Sequence, residues 1–250
     1  MTTRGTAQVT HATTLRGEWA RFGAFLGRPV LPDRAPPPNL ASLAAAARLL
    51  LLDLAIMAVL LAIGGLVSAI GVELPETALA GMELSPTIIA VAVLFAPLVE
   101  ELVFRGWLSG RPGHLLALFC LVGGGATAAA LFAPARDQTG AVAAALAALG
   151  GVLLAALALF LLRRRGAMRW FARVFPFAYW LSALLFASAH LLNFAEGNLL
   201  ALLPLVLPQF SIGLILGYAR VTHGLWSSMV LHLLHNGAFI GLVLLANGAA

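Results

Sequence analysis

The sequence contains no lysine and a single cysteine, and only 10% of its 250 residues are charged. Each shortage closes off a class of protein. One cysteine, Cys120, leaves no disulfide framework and no thiolate metal cluster. The charge content is far below the roughly 25% of a soluble domain. Beside 61% hydrophobic residues and a mean hydropathy of +0.98, it excludes an ordinary soluble globule. The net charge of +5 rests on arginine alone, and the arginines gather in particular connections as membrane topology would place them. No nucleic-acid partner is expected; the lipid bilayer is.

What the chain does have is a series of apolar runs about 20 residues long, without the strict alternation of barrel strands. They predict an all-α polytopic membrane protein with seven transmembrane helices. The expected spans are about Leu43–Ile70 (carrying Asp53), Thr87–Leu108, Leu115–Phe132, Ala141–Leu162, Phe177–Phe194, Leu199–Tyr218 and Leu225–Leu245. Residues 1–40 read as a polar tail. Within it Leu15–Leu26 is expected as a short amphipathic helix on the membrane surface. Arg28–Pro38, with five prolines, is expected as a stiff linker. Residues 41–250 would form the membrane domain. No apolar core followed by a small-residue cleavage site marks a signal peptide.

With the amino terminus in the cytoplasm, the outer connections (71–85, 133–140, 195–198) and the carboxyl-terminal tail hold one arginine, Arg136. They also hold Glu73, Glu76, Glu83, Asp137 and Glu196. The inner side holds Arg111, Arg220, the group Arg163, Arg164, Arg165, Arg169 and Arg173, and the tail's Arg4, Arg16, Arg21, Arg28 and Arg34. That asymmetry supports the N-in orientation.

Three places in the spans are polar where hydrocarbon disfavours it, each ionisable group costing roughly 2.5–3.5 kcal/mol at mid-bilayer. The first is Pro97-Leu98-Val99-Glu100-Glu101-Leu102-Val103-Phe104-Arg105. Glu101 and Arg105 are four apart on one helical face, so the guanidinium is expected to neutralise that carboxylate. Glu100 is turned about 100° away and left to face a neighbour or a water. Pro97 cannot donate a backbone bond and should kink the helix one turn earlier. The second place is Phe186-x-x-x-His190, where the ring could screen the imidazole from lipid. The third is His232-x-x-x-Asn236, an imidazole and a carboxamide on one face. Beside it, His235 is expected to satisfy a backbone carbonyl rather than to face the cavity. Asn236 also has a plainer reading as an interhelical hydrogen bond.

Glu-Glu-x-x-x-Arg, Phe-x-x-x-His and His-x-x-x-Asn, in that order on membrane spans, resemble the motifs of the CAAX-protease and bacteriocin-processing (CPBP) intramembrane proteases. Phe210-x-x-Gly213-x-x-x-Gly217-Tyr218 is similar to the family's pattern on the span before the third motif. The likeness covers about residues 86–240. It would put the first two motifs on consecutive spans, whereas here an extra helical hairpin, 113–162, stands between them. The resemblance implies an intramembrane endopeptidase acting on a peptide or membrane-protein substrate near the cytoplasmic side of the membrane. The expected catalytic set is Glu100, Glu101, Arg105, His190, His232 and Asn236. Glu100 would be the base toward a water also held by His190, and Glu101 with Arg105 the support. His232 and Asn236 would stabilise the oxyanion.

A zinc version, with Glu100, His190 and His232 as ligands, stays open, although His-Glu-x-x-His is absent. Two other classes compete: a membrane scaffold or immunity-type protein that keeps the cavity without turnover, and a proton-relaying transporter. The transporter is disfavoured by the lack of internal repeats. The abundance of Ala, Arg and Leu without lysine suggests a GC-rich bacterial genome, hence the bacterial cytoplasmic membrane.

Overall fold

The structure, a computed structural model, describes residues 12–32, 34–75, 77, 84–135, 137–194 and 196–248. Among these residues, seven helices are long and apolar enough to cross a membrane: Leu40–Ala69, Pro86–Ser109, Pro112–Pro134, Gln138–Leu161, Arg169–Asn193, Leu199–Thr222 and Leu225–Ala246. We call these the first to seventh spans. The protein is an all-helical, multi-pass membrane protein, and no strand occurs among the described residues. Arg4, Glu76, Glu83 and Arg136 of the topology argument lie outside the described residues.

Local chemistry sets the ends of the spans. Asn39, Ser85, Asp137 and Asn198 cap the first, second, fourth and sixth, each accepting from a backbone N–H three residues on, at 2.8, 3.3, 2.7 and 3.0 Å. Gly110 ends the second span in a left-handed conformation (φ 64°), and a Cβ there would lie 2.5 Å from Phe171. The fifth span begins at Arg169, not near Phe177. Pro176 falls inside it and interrupts the bonding without ending the helix. Arg169 and Arg173 therefore belong to its exposed first turns, where long side chains reach water beyond the apolar zone.

The core lies between the fifth and sixth spans, where Gly213 and Gly217 permit close approach. A Cβ at Gly217 would stand 2.9 Å from the Tyr179 ring, which is itself pinned by its hydroxyl donating to the Leu214 carbonyl at 2.7 Å. The third and fourth spans form a hairpin packed mainly on itself. They cross at Gly124 and Gly151, whose backbones leave no room for a side chain.

The amino-terminal helix is present over Leu15–Gly27, but its apolar face packs on protein rather than lying on lipid. Phe25 meets Tyr179 and Tyr218 edge-on at 5.0 and 5.1 Å, and Phe22 meets Tyr218 at 5.5 Å. Trp19 donates to the Arg48 carbonyl at 2.9 Å. Glu18, buried, accepts from the Tyr218 hydroxyl at 3.1 Å and pairs with His223 at 3.2 Å. Burial works to raise the Glu18 carboxyl, yet His223, Tyr218 and Arg21 together hold it below the usual carboxylate range.

Candidate active site

The second span is not one regular helix. Two π turns, Val91–Phe95 and Glu101–Arg105, flank an α turn over Ala96–Glu100 that contains Pro97. The Ala96 N–H bonds back five residues, to the Val91 carbonyl. Continued one residue on, that register would require an N–H from Pro97 for the Ala92 carbonyl, and proline has none. The Asn236 side chain supplies the missing donor, with Nδ2 2.8 Å from the Ala92 oxygen. The disturbance expected of Pro97 is thus a widened turn, and a seventh-span amide closes it.

The far end of the span is held in the same manner. Ser182 Oγ donates to the Phe104 carbonyl at 2.7 Å. Arg220 donates to the Arg105 and Gly106 carbonyls at 3.1 and 3.2 Å. Side chains of the fifth, sixth and seventh spans therefore fix the stretch that carries both glutamates.

Within that frame, Glu101 and Arg105 are completely buried and paired at 3.0 Å. Arg105 also lies over the Phe186 ring, its Cζ 3.9 Å from the centroid. His232 stands between the two carboxylates. Its Nδ1 donates to Glu101 Oε1 at 3.0 Å, and its Nε2 lies 3.6 Å from Glu100 Oε2. Glu100 retains 29% side-chain exposure against zero for Glu101. The adjacent carboxylates thus occupy different environments: one sealed and paired with arginine, one partly exposed.

His190 follows the α-helical part of the fifth span, opens its closing 3-10 turn, and donates from Nδ1 to the Phe186 carbonyl at 2.8 Å. The Phe186 ring touches both imidazoles, with centroids 4.6 Å from His190 and 5.6 Å from His232. Because each Nδ1 proton is committed to an oxygen acceptor, a neutral imidazole at either position presents an Nε2 lone pair.

Four of the six expected residues, Glu100, Glu101, Arg105 and His232, are in direct contact. His190 joins them through the shared Phe186 ring, and Asn236 faces the Ala92 carbonyl. His235 bonds a carboxylate rather than the expected backbone carbonyl. Its Nδ1 lies 2.6 Å from Oδ2 of Asp53, fully buried on the first span. Asp53 was visible in the sequence as a charge in a span, but its partner was not. Phe186 was read as a screen against lipid; its stacking under Arg105 carried no sequence signal.

Two Nε2 lone pairs and a carboxylate are suitable metal donors in kind. Among the described residues, however, no three His, Cys, Asp or Glu side chains gather closely enough to hold an ion. The expected zinc set of Glu100, His190 and His232 does not fit this arrangement.

No curated protein and no solved structure matches the chain. The family model described as type II CAAX prenyl endopeptidase Rce1-like matches residues 83–238, from just before the second span to just past Asn236. More than half of the chain is covered, all three motifs included, so the chain belongs to this Rce1-like family of CPBP proteins.

Proposed function

We propose that the protein is an intramembrane endopeptidase in which Glu100 activates the water that attacks a peptide bond. One observation carries this reading: His232 bridges a sealed, arginine-paired Glu101 and an accessible Glu100. Glu100 takes a proton from water as the oxygen attacks the scissile carbonyl carbon. The proton is then available to His232 Nε2, and the imidazolium so formed is stabilised by the Glu101 carboxylate on its other nitrogen. From there the proton goes to the leaving amine as the C–N bond breaks. Asn236 has a second amide hydrogen beyond the one given to Ala92, and with protonated His232 it serves the oxyanion. His190 Nε2 accepts from the attacking water and orients it. Arg105 acts through Glu101.

The substrate is a peptide segment of a membrane-associated protein, cut toward the arginine-rich, cytoplasmic side of a bacterial inner membrane. Residues 41–250 would be the protease domain, with the hairpin 113–162 as an addition to it. The matched family is described by prenyl-protein processing. The lysine-free, Ala-, Arg- and Leu-rich composition points to a GC-rich bacterium, where prenylated substrates are not expected.

The test is reconstitution in liposomes with a peptide library and mass-spectrometric detection of products. Glu100→Gln should lower turnover by roughly 10²–10⁴, the usual contribution of a general base. Equal product from the variant removes Glu100 from the chemistry. No product from the wild type favours the non-catalytic scaffold.

A further inference from the structure

Two cavities share a wall at His114, near the start of the third span, and neither contains the residues assigned to catalysis. The larger, about 690 Å³, lies between the proline-rich linker and the arginine-rich ends of the spans. Its polar lining is Arg34, Arg111, Arg220, Ser109 and His114, and among the described residues no carboxylate faces it. Arg111 is held in place by donating to the Arg163 and Arg165 carbonyls, and Arg220 by its bonds to Arg105 and Gly106. Each of these two guanidinium groups still has its Nη1 hydrogens beyond those bonds. Three cations gather at this cavity, and with no carboxylate among its described lining residues it favours negative charge.

The smaller cavity, about 280 Å³, lies between the extra hairpin and the second span. Leu102, Leu118, Leu121, Val152 and Leu159 line it, with Gly106 at the second span. It is nearly all hydrocarbon. An occupant that satisfies both must carry an anionic head and an apolar chain, and in a chain that spans a bilayer the available molecule of that kind is an anionic phospholipid.

We propose that the hairpin 113–162 and the linker together form a binding site for an anionic phospholipid. Its phosphate would sit among Arg34, Arg111 and Arg220, and one acyl chain would run along the slot between Leu102 and the hairpin. This gives the inserted hairpin a role that the protease reading leaves unexplained. It also places a lipid against Gly106, the residue that follows the Glu101–Arg105 turn.

The experiment measures binding of labelled phosphatidylglycerol to the full-length protein in neutral detergent. Phosphatidylcholine, short-chain glycerol phosphate and inorganic phosphate serve as competitors. Phosphatidylglycerol should compete well, phosphatidylcholine poorly, and the chainless phosphates poorly because the slot contributes nothing to them. Arg34→Gln, at an exposed position, should weaken binding about fivefold, the worth of one arginine near an anionic lipid. Ala156→Trp, which fills the slot, should weaken lipid binding and leave inorganic phosphate binding unchanged. Size-exclusion profiles identify any variant that fails to fold. Competition by inorganic phosphate as strong as by phosphatidylglycerol would mean a soluble-anion site and overturn the lipid assignment. Equal competition by phosphatidylcholine, or unchanged affinity in both folded variants, would overturn the site itself.

Discussion

Pro97 and Asn236 lie on different spans and far apart in sequence, yet the structure makes them one unit. The proline removes a donor, the π register directs that loss to the Ala92 carbonyl, and the carboxamide restores the bond. A carbonyl left unsatisfied away from water costs about 1–3 kcal/mol. Asn236→Leu should therefore destabilise the protein by about that amount. In a Pro97→Ala background the restored N–H can meet the backbone acceptor, and the penalty should shrink. Thermal unfolding in detergent of the wild type, both single variants and the double variant supplies the cycle. An identical Asn236→Leu penalty in both backgrounds would sink the coupling. At this scale the sequence showed the residue types but not all the partners. The Glu101–Arg105 pair could be read because it sits within one turn of one helix. The Asp53–His235 pair and the Arg105–Phe186 stack could not, since both depend on how separate helices are rotated. In lipid, where every face of a span meets hydrocarbon, apolar periodicity does not record that rotation.

Among whole elements, the spans themselves were the most legible feature. Length and hydropathy alone predict them, and only the start of the fifth differs appreciably, because the helix begins at Arg169 and runs on through Pro176 instead of starting after it. Gly213 and Gly217 were legible as a close-approach stripe, and here the structure adds magnitude. Gly217→Ala drives a methyl to 2.9 Å from a Tyr179 ring that cannot swing away without losing its bond to Leu214. Overpacking of this kind costs about 1–3 kcal/mol. Gly150→Ala, with open space around it, should be neutral or gain up to about 1 kcal/mol from helix propensity. Melting temperatures of the two variants should move apart, and equal shifts would contradict the close approach.

The amino-terminal helix was legible as a helix and misjudged as a surface one. Its apolar stripe looks the same whether it meets lipid or protein, and only the buried Glu18 distinguishes the two. That carboxylate titrates below its ordinary value of 4.5 in the folded protein, so the stability it gives is fully present above that value. Stability is then lost as the pH falls through the lower, folded value. Hydrogen exchange over residues 15–27 should accelerate on acidification below about pH 4.5. Glu18→Gln should remove most of that acid dependence. Unchanged acid sensitivity in the variant would show that other groups release the helix.

For the whole molecule, the seven spans found among the described residues predict that the segments before the first and after the last lie on opposite sides of the membrane, and the arginines predict which side is which. Arg111, Arg163, Arg164, Arg165 and Arg220 collect at one end of the bundle with the docked helix and linker. Glu73, Asp137 and Glu196 mark the other. The rule that positive connections stay in the cytoplasm then predicts the amino terminus inside. The extra hairpin leaves this expectation unchanged, because two added spans would return the chain to the side it left and keep the relative sidedness that Glu100 and His190 would have on consecutive spans. Alkaline phosphatase fused after Ala250 should therefore be active in a bacterial host, and the same reporter fused after Gly166 inactive. The opposite pattern would put the basic cavity and the proposed cleavage side outside the cell. Activity at both positions would mean an even number of crossings between them, not the three shown by the fifth, sixth and seventh spans.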